Sequence, residues 1–407
     1  MESKTKVIIA GAGIAGPVLA IFLKLKGYEP VVYERTLSVP DAGLSLCLQP
    51  NGLRVLSLIP GFVEKLSGKQ ISKVVHCSLL PEEETVLVES GLVSKLPETV
   101  GFGLFGIRRP KFHHQIIEEA EAHDIRIIWG HQAVGFEQSE DHVKVTFVNG
   151  DTDTASFVVG CDGLHSNTRI SLFGKEPVSF TGLTQTGGVS PAPDALRDYG
   201  MRNFYADGAH MILYPVNDSE ISWAITQREP ETKETWGHMD DEAQRAFKEG
   251  PWSHWSFCAG ELVRTSDRIV KFGLYDRPEL SVWHKGRVVL LGDAAHPTSP
   301  HLGQGANQAF EDVYHFVRLL KKHNPSASAP STELLSTIFT EYESLRMART
   351  SALVKGARKQ GEARVVEGVE ACKARNNSIR EAWRDGDAIA AGYMEMYSHP
   401  FLEKSDI

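Results

Sequence analysis

The chain has 407 residues, with 43 basic against 52 acidic side chains and five scattered cysteines. That length allows two or three domains with sizeable cores. The slightly acidic balance, without a basic patch, argues against nucleic acid; the cysteine spacing fits neither a disulfide scaffold nor a CxxC zinc site; and no apolar run reaches the ~18 residues of a membrane span.

The N-terminal MESKTKVIIAG enters a strand-like run at once. It leaves no room for a signal peptide, so a soluble cytoplasmic protein is expected. Gly11, Gly13 and Gly16 follow the strand in GxGxxG order, and a helical pattern runs from there to Gly27. A second strand ends at Glu34, 18 residues after Gly16. This is a dinucleotide fingerprint in its βαβ setting. Gly11 permits the tight turn, Gly13 lets backbone approach a pyrophosphate, and Gly16 lets helix and strand pack closely. The helix N-terminus offers free N–H groups to phosphate. Glu34 stands where a carboxylate would hold a ribose diol. Either NAD(P) or FAD satisfies this unit. Gly43 falls in the loop that follows, and Pro50-Asn51-Gly52 opens a short helix.

Short strands are expected across 71–98, with Arg108 and Arg109 closing a later strand and a helix beyond them. HVKVTFVNG and DTASFVVGCDG read as a hairpin turning at Asn149-Gly150. The second run ends in Gly160-Cys161-Asp162-Gly163, an acid and a glycine at a strand end, where doubly wound sheets place ligand groups. Ser166 is a candidate helix cap, and Arg169 a brace behind the loop. Residues 172–282 change texture. HMILYPV and ISWAITQ read as antiparallel strands, with a polar helix over 236–249. Tyr205, His210, Met211, Tyr214 and Trp223 are candidates for a sheet face that looks into a cavity.

The most unusual stretch is GRVVLLGDAAHPTSPHLGQGANQAFED, residues 286–312. A buried-type strand stops at Gly292-Asp293. Pro297 and Pro300 stiffen the connection, Gly303 and Gly305 open it, and a helix follows. Its N–H groups can hold a phosphate or a partly anionic ring oxygen. Three elements distant in the chain converge on one elongated ligand with hydroxyls and two phosphates.

In that order and spacing the three motifs resemble the FAD-dependent class A aromatic-ring monooxygenases, with the para-hydroxybenzoate hydroxylase fold and a texture similar to salicylate-hydroxylase-like fungal secondary-metabolite enzymes. The resemblance covers roughly residues 6–322. It implies an α/β fold in which a Rossmann-like FAD-binding domain (1–70, 104–171, 283–325) is interleaved with a mainly antiparallel substrate domain (71–103, 172–282), followed by C-terminal helices (326–407). It implies FAD at Gly11, Gly13, Gly16 and Glu34. Gly43 and Arg109 would lie on the flavin side, and Asp162 would serve both FAD and NAD(P)H. Asp293 would meet the pyrophosphate and ribityl region, Pro300 the isoalloxazine, and Gly303, Gly305, Ala306 and Asn307 its pyrimidine edge. NADPH or NADH would reduce the flavin, and O2 would form a C4a-hydroperoxyflavin that hydroxylates a phenol, polyketide or indole.

Arg202, His210 and Tyr214, with Tyr205, are the candidates for activating the substrate. His296 and His301 fit loop structure better than acid–base work. His113-His114 has no acidic partner pattern, and no metal is expected. Residues 334–388 read as one long helical region, and IAAGYMEMYSHPFLE as a segment able to close a cavity. Epoxidation, Baeyer–Villiger chemistry, a flavin reductase or dehydrogenase, and a non-catalytic dinucleotide-binding regulator stay open. So does the choice between monomer and homodimer.

Overall fold

The computed structural model describes residues 4–231 and 239–407. Its nucleotide-side sheet gathers strands from across the chain, in the order His284–Lys285, Val288–Leu290, Phe157–Gly160, Lys6–Ala10, Glu29–Tyr33 and Arg126–Ile128. All neighbours are parallel except the first pair. A parallel sheet is covered on both faces, so its strands are continuously apolar. Val7, Ile8, Ile9, Val158, Val159, Val288 and Val289 are accordingly fully buried. Helices Ala15–Leu25 and Gly305–His323 pack beside the sheet and against each other.

The second sheet has seven strands in the order Arg268–Asp276, Ser179–Pro191, Glu220–Arg228, Ala209–Pro215, Gly200–Tyr205, Lys73–Ser78 and Thr85–Ser90. It is antiparallel except where Gly200–Tyr205 meets Lys73–Ser78. Alternation along these strands makes two faces. One, with Phe204, Met211, Leu213 and Trp223, forms a core under helix Ala259–Thr265. The other faces the cavity. The architecture is therefore α/β, with a Rossmann-like sheet interleaved with a mainly antiparallel one, as the sequence leads one to expect.

Some local expectations need adjustment. Met211 belongs to the core, not the cavity face; Trp223 borders the cavity as expected, but its indole packs into that core, where Nε1 donates to Ser190 Oγ at 2.9 Å. The hairpin forms between Val143–Phe147 and Thr152–Ala155, but its second run leaves at Ser156, and Phe157–Gly160 joins the nucleotide-side sheet. The polar helix begins at Asp241, capped by Asp240; residues 236–238 of that expected helix lie outside the described residues. The expected long C-terminal helix is three: Thr332–Arg364, Val369–Ala382 and Gly386–Tyr397. Gly368, at φ +91°, breaks the first from the second, and Asp385 caps the third. No helix among the described residues is long and apolar enough to cross a membrane.

Candidate active site

The glycine loop joins strand Lys6–Ala10 to helix Ala15–Leu25, and its three glycines differ in what surrounds them. A Cβ on Gly16 would collide with the Gly11 carbonyl oxygen, and one on Gly11, at φ +105°, would sit 2.5 Å from the Cys161 oxygen. These two serve close packing. A Cβ on Gly13 would meet nothing within 4 Å, so the backbone there stands open to a ligand. Glu34 Oε2 accepts from the Ala12 N–H at 2.8 Å, which sets the carboxylate beside the loop. Sequence reasoning missed His113. It is buried, and its Nε2 lies 2.6 Å from the Ala12 carbonyl, bracing the loop from helix Arg109–Ala122.

The Asp-Gly turn adjoins this loop. Asp162 Oδ1 accepts from Ser166 Oγ at 2.5 Å, and Oδ2 from the Thr168 N–H and hydroxyl, both at 2.9 Å. Burial pushes its carboxyl pKa up, against these bonds. Ser166 caps helix Asn167–Phe173 by accepting from the Arg169 N–H. Arg169 is buried and donates to the Ala295 carbonyl at 3.1 Å and the Pro278 carbonyl at 2.9 Å. It thus ties the Asp-Gly turn to the Gly-Asp loop.

In that second loop Asp293 opens onto the cleft. Desolvation deep in the cleft raises its carboxyl pKa, opposed by His296 and Arg109. Arg109 donates to the Ala42 carbonyl at 2.9 Å and packs where any Cβ on Gly43 (φ +89°) would sit. His296 Nε2 is 2.6 Å from Asp312, which also accepts from the Gly292 N–H. His296 therefore has a part in loop structure. Gly303, at φ +63°, ends the turn Pro300–Leu302, and Gly305 starts the helix. Asn307 departs from the expected ligand contact. Its side chain is buried and committed to protein, accepting from the Gln49 N–H at 3.0 Å and donating to the Gly303 and Cys47 carbonyls at 2.8 and 3.1 Å.

A cavity of about 550 Å³ runs from Arg109, Asp293, Pro300, Gly303, Gly305 and Ala306 across to the second sheet. Leu44–Cys47 floor it, with Met201, Asn203, Ile212, Tyr214 and Phe272 on the sheet side. Trp383, Tyr393 and Tyr397 close it from the C-terminal helices. Of the four activation candidates, Arg202, Tyr205, His210 and Tyr214, it is Tyr214 that lines it. Its hydroxyl is 2.8 Å from Ser45 Oγ, which donates to Ser222 Oγ at 2.7 Å, and burial raises its pKa. Arg202 is a correction. Strand alternation turns it away from the face of Met201 and Asn203, and it is held by Asp198 at 2.5 Å. His210 is a correction too. It is fully buried one layer behind the wall, with Nε2 3.0 Å from Asn203 Oδ1. No group of three or more potential metal ligands occurs among the described residues.

The fold and cleft define a two-sheet flavoprotein architecture. A sequence-family model described as "FAD binding domain" matches residues 4–357, and the chain belongs to that FAD-binding family. Relatives include 3-amino-4-hydroxybenzoate 2-monooxygenase of Streptomyces cremeus, 29% identical over 89% of this chain and 88% of the relative. Zeaxanthin epoxidase of Nicotiana plumbaginifolia is 29% identical over 86% of this chain and 54% of the relative. Among solved structures, Klebsiella pneumoniae HpxO complexed with FAD and uric acid superposes with a TM-score of 0.82 at 22% identity, covering 97% of this chain and 96% of that one. The chain is an FAD-dependent monooxygenase of the class A aromatic type.

Proposed function

We propose that this enzyme uses NADPH or NADH and O2 to insert one oxygen atom into an electron-rich aromatic substrate held in the 550 Å³ cavity. The observation that carries this reading is the continuity of that cavity, from Asp293, Arg109, Gly303 and Gly305 to the face of the antiparallel sheet. The open backbone at Gly13, the Glu34 carboxylate and Asp293 fit the hydroxyl- and phosphate-rich parts of FAD. When bound, FAD supplies the two-electron and oxygen chemistry.

The chain's own residues bind, orient and shield. Gly11 and Gly16 hold the loop's shape, Gly13 meets the pyrophosphate, and Glu34 takes the adenosine ribose. Asp162 fixes the turn beside the loop. Gly43 and Arg109 stand on the flavin side, with Pro300, Gly303, Gly305 and Ala306 along the ring. Asn307 acts there indirectly, by holding the Gly303 carbonyl. Trp383, Tyr393 and Tyr397 keep bulk water from the reacting centre. Tyr214 offers a hydroxyl that orients a phenol or amine on the substrate, with Ser45 and Ser222 behind it. A cytoplasmic location accords with five free cysteines.

Anaerobic reduction of the purified protein by NADPH and by NADH, with and without phenols and indoles, followed by mixing with labelled oxygen, tests the reading. One labelled atom in an aromatic product is expected. Reduction followed by electron transfer to another acceptor, with no label in any product, makes it a reductase. The likeness to an epoxidase supports a second reading, in which the oxygen enters a double bond; an epoxide product separates the two.

A further inference from the structure

At the cavity's inner end, four side chains from different elements meet: His76, Asn203, His301 and Arg364, the last residue of helix Thr332–Arg364. Arg364 has no carboxylate partner among the described residues. It donates to the His301 carbonyl at 2.9 Å and lies beside the Tyr205 hydroxyl, and its Nε is buried without a partner. Arg287 also lacks a carboxylate among the described residues, but it gives its N–H groups to the Glu140, Ser156 and Pro330 carbonyls. Arg364 is thus a half-buried cation with a buried, unpartnered Nε and donors to spare.

The neighbouring hydrogen bonds fix which way the other groups point their protons. The Tyr205 hydroxyl lies 3.0 Å from His76 Nδ1, and with the donor-only guanidinium of Arg364 beside it, it gives its proton to that nitrogen. With Nδ1 accepting, neutral His76 carries its one ring proton on Nε2, which has no partner. His210 Nε2 donates to Asn203 Oδ1, which leaves the Asn203 amide NH2 at the cavity wall without a protein acceptor among the described residues. Burial lowers His76 and His301 to about 3, so both are neutral near pH 7. The inner end presents donors in excess and one formal positive charge. Buried donors left without acceptors are costly, and such a cluster calls for an acceptor-rich partner.

We propose that this inner end is a subsite for an anionic oxygen group of the substrate, a carboxylate or an ionised hydroxyl, with Arg364 as its counter-ion and His76 and Asn203 as neutral donors. The inference rests on the cavity being the substrate chamber. Arginine–oxyanion bonds are charge-assisted, so an anion is preferred over its neutral isostere of the same shape.

The test is a binding titration of the FAD-loaded protein, read as perturbation of the visible flavin band and as quenching of tryptophan fluorescence. Hydroxybenzoic and hydroxynaphthoic acids are each paired with their amides, and 4-nitrophenol with 4-nitroanisole. The first pairs report a carboxylate, the last an ionised hydroxyl. An anion preference of roughly tenfold or more is expected in at least one arm. It should vanish in Arg364→Gln and partly persist in Arg364→Lys, with flavin content unchanged. Should Arg364→Gln fail to fold, Asn203→Leu is expected to weaken the same preference. No preference in either arm, or a preference intact in Arg364→Gln, overturns the subsite. A protein that holds no FAD overturns the oxygenase reading instead, while fluorescence still reports on the subsite.

Discussion

Gly13 and Gly16 stand three residues apart in one motif, yet they answer to different demands. Gly16→Ala places a methyl against the Gly11 carbonyl, and overpacking of this kind costs about 1–3 kcal/mol. We expect a lower melting temperature in the FAD-free protein. Gly13→Ala meets no protein atom, so the FAD-free protein should melt as the wild type does. Its FAD affinity should fall by roughly tenfold or more, about 1.4 kcal/mol. Calorimetry of both apoproteins and FAD titration check the contrast; a Gly13→Ala apoprotein that melts early would assign Gly13 to packing. These roles were legible because a motif spells them out. Others were not. Arg202 is a strong candidate on composition, but whether a strand residue faces cavity or core depends on register, and the structure pairs it with Asp198 on the core side. Arg364 lies in EARVVEG, a charged helix end that reads as solvated surface; the packing of that helix end against Tyr205 and His301 gives it meaning. His76 had a signal in the alternation of KVVHCS, a histidine on the same face as Val74.

At the scale of elements, helix Gly305–His323 is locked to the long C-terminal helix by buried ions. Arg346 donates to Asp312 and Glu311, each at 2.7 Å, and Arg349 joins Glu311 at 2.8 Å. Arg346, Glu311 and Asp312 are fully buried. Removing one partner of such a cluster strands the remaining charges and costs about 3–5 kcal/mol. Arg346→Met should therefore show a markedly lower unfolding midpoint in denaturant. It should also lose FAD affinity, since Asp312 holds Gly292 and His296 in the loop. Burial alone would raise both carboxyls, but Arg346 and Arg349 around Glu311, and His296 and Arg346 around Asp312, more than reverse it and leave both lowered. Carboxyls lowered on folding contribute stability that is complete above their unfolded values, 4.5 and 3.8, and is lost as pH falls below them. The melting temperature should thus drop progressively on acidification below about pH 4.5; a flat profile down to pH 3 would contradict this. The sequence marks both helices by their apolar faces, but not the pairing, because an Arg and an Asp 34 residues apart carry no periodic signal.

Over the whole molecule, the alternation of nucleotide-side and antiparallel segments was legible, since strand type shows in hydrophobic pattern. The role of the last helices was legible in part. The break at Gly368 was hidden among helix-forming residues, and it turns Trp383 and Tyr393 back onto the cavity. Tyr393→Ala should open that wall. We expect unchanged flavin content, with more NAD(P)H consumed per product formed and hydrogen peroxide making up the difference; unchanged coupling would mean that this wall does not shield the reaction.

The brace from Arg169 to Ala295 and Pro278 has a consequence for how the protein is made. The nucleotide-side sheet draws its strands from residues 6, 29, 126, 157 and 288 onward, and its loop is secured from residue 346. Contacts of such sequence separation form late. A nascent chain that has emerged as far as residue 280 holds the fingerprint glycines and the Asp-Gly turn but no Gly-Asp loop to join them. FAD binding is thus expected only late in synthesis: ribosome-bound chains stalled before helix Thr332–Arg364 should retain no FAD, and chains that extend past it should retain the yellow cofactor.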